Sequence, residues 1–285
     1  MKQAILITAY KEESSLIDIV DFFGSDYNFY IHFDRKVRID LSVLQERKNV
    51  FVSKKYRVNW GGVNHLKAIL LLVDIALKNP ENAFFHLITA EDFPVKSINY
   101  FEALDSTKNY LDFFELPTPF WESGGMDRID YYNFFDLLNA KKTIHAKVLG
   151  KLLSYQRKLG LKRKYPNEFL QLKLYGGSTY WSLNRAALDY VLQFDCNKKI
   201  IKRFRHTFCA EEIYFQTILL NSPHAGSIEN DDLRYIDWES GRRGYPAFLD
   251  ETDFESLIAS NKLFARKIDK SNTLKMMLIN HVSNR

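Results

Sequence analysis

Two adjacent glutamates, Glu211 and Glu212, open the segment EEIYFQTILLNSPH (211–224). Neighbours on a helix point about 100° apart, so the two carboxylates serve different directions. On a helical wheel of 211–220, Tyr214, Phe215, Ile218 and Leu219 form the apolar face. Glu211 then falls near the centre of that face and Glu212 at its edge. Both lie in the first turn, where unpaired N–H groups and the helix dipole favour negative charge. A pair of this kind is often no more than a helix start. The chemical reading selects the edge residue: a carboxylate at the rim of a core can face a cleft, stay ionised and act as a general base. No Ser/His/Asp or Cys/His arrangement competes, and Cys209, although near His206, has the ordinary reading of a small buried thiol.

Charge of the opposite sign clusters near the C-terminus as Arg242-Arg243, in a loop bounded by Gly and Pro, and as Arg266-Lys267. Paired cations of this kind can neutralise a diphosphate directly, although isolated surface charge would look the same. The phosphate cradles G-x-G-x-x-G and Walker A are absent. So is Asp-x-Asp, which Asp231-Asp232 does not replace. The seven histidines show no i, i+4 pairing and no acidic partner at ligand spacing, so no metal is expected. His32 and His86, each inside a strand pattern, read as satisfied core residues.

The elements that must position these groups alternate in the first half of the chain. Strand patterns at AILITAY (4–10), FYIHFD (29–34), NVFVS (49–53) and AFFHLIT (83–89) are separated by helix patterns over 12–23 and 60–77, the latter entered through Gly61-Gly62. That order predicts βαβ units and an α/β fold with a mostly parallel central sheet flanked by helices. Ligands of such sheets bind beyond the carboxyl ends of the strands, which marks Ala9, Tyr10, Asp34 and Thr89–Asp92. Residues 175–192 read as a Gly-rich turn, a short strand and a helix capped by Asn184. With no boundary, repeat or low-complexity tract, 1–285 is read as one domain, with a nucleotide-binding half (1–115) and an acceptor and catalytic half (116–285).

Composition sets outer limits. The 285 residues can bury a sizeable core, and 46% hydrophobic with 26% charged residues is ordinary for a soluble protein. The 22 Phe, 16 Tyr and 4 Trp exceed what a core alone needs and offer faces for stacking on a sugar or base. A net charge of +5 fits an anionic ligand or membrane surface but is too mild to indicate nucleic acid. Two cysteines, Cys196 and Cys209, give no disulfide framework and favour a reducing compartment. The apolar run in MKQAILITAYKEE is too short for a signal-peptide core, and no run of 18 apolar residues occurs. A cytoplasmic location is the resulting expectation.

Segment 141–173 departs from this balance, with ten Lys or Arg against Glu168. Val148, Leu149, Leu152, Tyr155 and Leu159 recur at helical spacing, which predicts a basic amphipathic helix within 141–164. Such a helix is either a solvated face or a peripheral contact with the inner face of a membrane.

Six segments together resemble the core-2/I-branching β-1,6-N-acetylglucosaminyltransferases and peptide O-xylosyltransferases: VNWGGVNHLKAILLLVDIAL (58–77), FFHLITAEDFPVKS (84–97), GGSTYWSLNR (176–185), EEIYFQTILLNSPH (211–224), LRYIDW (233–238) and NKLFARKID (261–269). They occur in the family's order over residues 60 to 269. The resemblance implies a GT-A-like fold and an inverting, metal-independent transfer from a UDP-sugar to a glycan or lipid-linked glycan hydroxyl, with no cofactor. It implies N-acetylglucosamine as the sugar, with xylose, or a non-catalytic binding relative, as the alternatives. It assigns the base to Glu212 and a diphosphate contact to Lys267. Gly244 stands where the family carries an arginine, with Arg242 and Arg243 beside it, and Arg266 adjoins Lys267. Trp238 matches the acceptor-stacking tryptophan, and Trp181 is a second acceptor candidate. Tyr10 would lie near the uridine, and Asp92 where related enzymes carry their acidic motif. The absence of an anchor and stem ahead of the first strand suits a bacterial enzyme of surface polysaccharide synthesis.

Overall fold

The computed structural model describes residues 2–10, 13–198, 200–268 and 272–283. Glu12 and Asp269, at the ends of two expected elements, lie outside the described residues, as does the side chain of Cys196.

Seven strands form the central sheet: β1 (Lys2–Ala9), β2 (Asn28–Phe33), β3 (Val50–Ser53), β4 (Asn82–Thr89), β5 (Asn109–Leu111), β6 (Trp181–Asn184) and β7 (Ile228–Glu229). Their spatial order is β7-β5-β6-β4-β1-β2-β3. β1 pairs in parallel with β2 and β4, β2 with β3, and β7 with β5; β6 runs antiparallel to both β4 and β5. This is the expected α/β architecture with a mostly parallel sheet. Strands from both halves of the chain share it. Apolar side chains alternate across β1: Ala4 and Leu6 enter one core, Ile5 and Ile7 the other. Strands covered on both faces are the reason these runs read as continuously apolar.

On one face lie α1 (Glu13–Phe23) and α7 (Asn272–Ser283), which bury Leu16, Ile19, Phe23, Leu274 and Leu278. On the other lie α2 (Val63–Leu77), α5 (Arg185–Lys198) and α6 (Glu211–Leu220), packed through Leu66, Leu72, Val191, Phe215 and Ile218. Two further helices, α3 (Asp127–Asp130) and α4 (Thr143–Lys158), follow the fifth strand. α2 starts three residues later than its apolar pattern, because Gly61 takes φ +79° and ends the turn. A Cβ at Gly61 would stand 2.4 Å from the Phe208 ring, so only glycine lets this turn close on the loop before α6. The basic helix is shorter than its charge pattern, 143–158 within 141–164.

α6 differs from an ordinary amphipathic helix. Ile213, Gln216 and Thr217 are buried together with the predicted apolar face. The helix runs between the sheet and β-strand Tyr175–Gly176, so all of its sides meet protein; Thr217 Oγ1 and Gln216 Nε2 then find carbonyl partners at Tyr175 and Ser178.

Three short strands, Arg234–Ile236, Phe264–Arg266 and Phe93–Pro94, form a second sheet. It ties the C-terminal segments to the end of β4.

Candidate active site

Glu212 sits at the start of α6 with its side chain 28% exposed. Arg128, at α3, donates to its Oε2 at 2.5 Å. The guanidinium carbon in turn lies 3.5 Å from the Trp121 ring centroid and 5.2 Å from that of Phe208, within cation–π range of both. Burial pushes the Glu212 carboxyl up to about 7; Arg128 pulls it down and the neighbouring Glu211 charge pushes it further up. The helix dipole alone would have kept the group fully ionised. The structure poises it near neutrality instead.

Glu211 points the other way. Its carboxylate is buried and takes a 2.9 Å hydrogen bond from His65 Nδ1, in the first turn of α2. Nε2 of the same ring meets Thr8 Oγ1 at 3.2 Å, at the carboxyl end of β1. Burial alone would lower the His65 pKa, but the charge and hydrogen bond of Glu211 raise it above the usual value. The apolar placement of Glu211 thus has a cause: it is the buried partner of an imidazole that joins α2, α6 and β1.

The groups marked at the strand ends do assemble. Tyr10 donates to Glu91 Oε1 at 3.0 Å, and the Lys141 ammonium stands 5.0 Å from the Tyr10 ring centroid. Asp92 is buried, accepts from the Thr89 N–H and faces Arg266 Nε at 3.0 Å. Asp34 is also buried; it accepts from the N–H groups of Lys36 (3.0 Å) and Val58 (3.3 Å) and pairs with the Lys36 ammonium, so it holds the 54–59 loop. Ala9 is buried at the end of β1. The Glu212 charge also raises the His65 pKa, and the Arg266 charge lowers it.

The cation candidates lie on two neighbouring segments. Leu249 N–H donates to Lys267 O at 2.7 Å, and Phe248 N–H to Arg242 O at 3.1 Å, so loop 242–249 runs beside 266–268. Lys267 lies 5.5 Å from the Phe248 ring centroid. Arg266 is nearly buried, against Asp92 and over Tyr180. Arg242 pairs with Asp237, Asp250 and Asp253, and Arg243 with Asp250. These aspartates compete with any phosphate for both arginines.

The tryptophans divide. Trp238 is 49% exposed and leans on Tyr245 with centroids 5.0 Å apart, an open aromatic platform. Trp181 is fully buried against Phe215. The expectation that it meets an acceptor therefore gives way to a core role, because an inward register on a strand covered on both faces leaves no surface to present. Trp60, 59% exposed and edge-on to Phe208 at 5.0 Å, is an aromatic face the motif reading passed over. Arg128 was equally silent, since MDRID carries no chemical pattern; the piece VNWGGVNHL did contain His65, without a hint of its partner. His32 and His86 are satisfied core residues: His32 accepts from Tyr56 N–H, and His86 bonds Ser182 and Gln3.

No group of three or more His, Cys, Asp or Glu among the described residues is arranged to hold a metal ion. No described helix is long and apolar enough to cross a membrane.

A profile of the Core-2/I-Branching enzymes matches residues 5–258. The chain is 25% identical over 227 residues to xylosyltransferase 1 of Mus musculus, across 76% of this chain and 22% of that protein. It is 32% identical over 109 residues to the β-glucuronosyltransferase GlcAT14B of Arabidopsis thaliana, across 37% of this chain and 24% of that one. The matches thus span about a quarter of the relatives' own lengths. Among solved structures, a glycosyltransferase involved in glycosylating the major capsid of PBCV-1 aligns over 99% of this chain and all of its own, at 10% identity and a TM-score of 0.39.

Proposed function

The chain belongs to the core-2/I-branching enzyme family, and from that premise we propose that it is an inverting, metal-independent glycosyltransferase with Glu212 as its base. The acceptor is a glycan hydroxyl, in keeping with surface polysaccharide synthesis, and the donor a UDP-sugar. Glu212 takes the hydroxyl proton as the acceptor oxygen forms its bond to the anomeric carbon. The carbon–oxygen bond to the diphosphate breaks on the opposite face, and its electron pair leaves on the diphosphate. Cations then stabilise the leaving group in place of a metal. Lys267, which the resemblance assigns, is the first candidate for that task, and Arg266, Arg242 and Arg243 must each exchange an acidic partner before they can join it. Tyr10, Asp92 and Asp34 border the nucleotide, and Trp238 offers its face to the acceptor.

The observation that carries this reading is the partly exposed Glu212 carboxyl, raised to about 7 and oriented by Arg128. A base is most effective when its pKa lies near the working pH, and a positioned one contributes roughly 10²–10⁴-fold in rate. Glu212→Gln is therefore expected to retain UDP-sugar binding and to lose about 10²-fold or more in turnover. The donors for that assay are UDP-N-acetylglucosamine first, then UDP-xylose and UDP-glucuronic acid, which the names of the similar enzymes suggest. Full turnover by the Gln variant would remove Glu212 from the mechanism. A chain that binds a donor but transfers nothing with Glu212 intact would be a glycan- or nucleotide-binding relative.

A further inference from the structure

The basic helix α4 carries two apolar faces, and only one of them is covered. Leu149 is buried, Gln156 exchanges two hydrogen bonds with the Tyr132 backbone (2.8 and 3.0 Å), and Arg157 pairs with Asp127; these hold the helix to the body next to Arg128. About 100° around the helix, Ile144, Val148, Leu152, Tyr155 and Leu159 form a second stripe within an arc of roughly 80°. All five are exposed, Ile144 at 75% and Tyr155 at 68%. Lys147, Lys151 and Lys158, also exposed, run as a row along one edge of that stripe. Between 143 and 158 there is no acidic residue.

We propose that this face of α4 docks on an anionic lipid surface, with the apolar stripe at the headgroup boundary and the lysine row against lipid phosphates. A contiguous exposed apolar stripe on a soluble domain marks a contact site, and a cationic edge beside it is the pattern of helices that lie in a membrane interface. Not every cation of the segment takes part. Arg163 is buried, donating to the Ile129 and Arg203 carbonyls, and Lys162 pairs with Asp130. A second copy of the chain fits less well, because a two-fold interface on this face would oppose one lysine row to another.

The test reads binding alone and is independent of the transfer reaction. The full chain is sedimented with vesicles of phosphatidylcholine and of phosphatidylcholine with phosphatidylglycerol. Binding to the anionic vesicles, falling as salt rises, is the expected result. The triple variant K147Q/K151Q/K158Q is expected to partition on the order of 10²-fold more weakly, from the loss of three surface cations. The variant I144S/L152S/Y155S is expected to lose binding while melting at the wild-type temperature, since these side chains touch solvent. Equal binding to neutral vesicles, no binding at all, or unchanged binding by both variants would overturn the proposal. So would light scattering that shows a dimer dissociated by I144S/L152S/Y155S, which would give the stripe to a second copy.

Discussion

Glu212 opens a helix and faces an arginine, yet its carboxyl is raised to about 7, because burial opposes the charged form more strongly than Arg128 supports it. The folded state then holds that proton more tightly than the unfolded chain does, and ionising the group lowers stability as pH rises toward 7. Two consequences can be measured. If Glu212 is the base, as proposed, activity is expected to rise with pH through about 7. Arg128→Leu removes the charge that favours the carboxylate, so the rise is expected to move to higher pH; an unmoved profile would show that Arg128 does not act on the titrating group. Stability falls with rising pH next door as well, there through loss of a favourable pair. The His65 pKa is raised by Glu211, so that pair contributes stability fully below the unfolded value near 6.5 and loses it as pH climbs through the folded value. Glu211→Gln is expected to cost about 3–5 kcal/mol of stability for a broken buried pair and so to lower the melting temperature, more at about pH 6 than at about pH 9, while leaving the turnover that Glu212→Gln is expected to reduce. A wild-type melt at pH 6 would remove Glu211 from the structural role.

Elements explain why the strongest sequence motifs are mostly scaffold. In GGSTYWSLNR, Asn184 caps α5 by accepting from Ala187 N–H at 3.0 Å, and Arg185 donates to the carbonyls of Leu77, Asn79 and Asn82, closing the end of α2. Gly177 donates to Glu212 O at 2.9 Å, and a Cβ there would stand 2.0 Å from Asp112 O. Gly177→Ala must therefore push residue 177 and Asp112 apart, which disturbs the N–H that holds the Glu212 carbonyl. We expect a loss of at least about 1–3 kcal/mol in urea unfolding, together with reduced turnover; an unaltered midpoint would mean that the approach is slack. Arg234 of LRYIDW is buried and donates to Leu87 O, Trp181 O and Ser182 Oγ, so it locks β4 to β6 beneath the site. These residues read in the sequence as a family pattern, and the pattern records packing as much as chemistry.

At the scale of the molecule, the parallel order of β1, β2 and β4 brings Thr8, Tyr10, Asp34 and Asp92 to one edge, while the second sheet carries Arg266 and Lys267 to the same edge from the far end of the chain. Cations so placed can take over charge stabilisation from a metal, and full activity in EDTA is the corresponding expectation; loss of activity restored by added Mg²⁺ or Mn²⁺ would sink the metal-free proposal. The sequence by itself determined the α/β class, the strand and helix order, the satisfied His32 and His86, and the basic helix, because each of these follows from local periodicity or from a contiguous motif; it also supplies the proposal of Glu212 over Glu211. Only the tertiary structure decided the rest. It buried Trp181, engaged Arg242 and Arg243 with three aspartates, brought Arg128 to Glu212 and His65 to Glu211, and left one stripe of α4 bare. Burial and long-range pairing set those outcomes, and both depend on which distant segments meet, a quantity that no local spacing encodes.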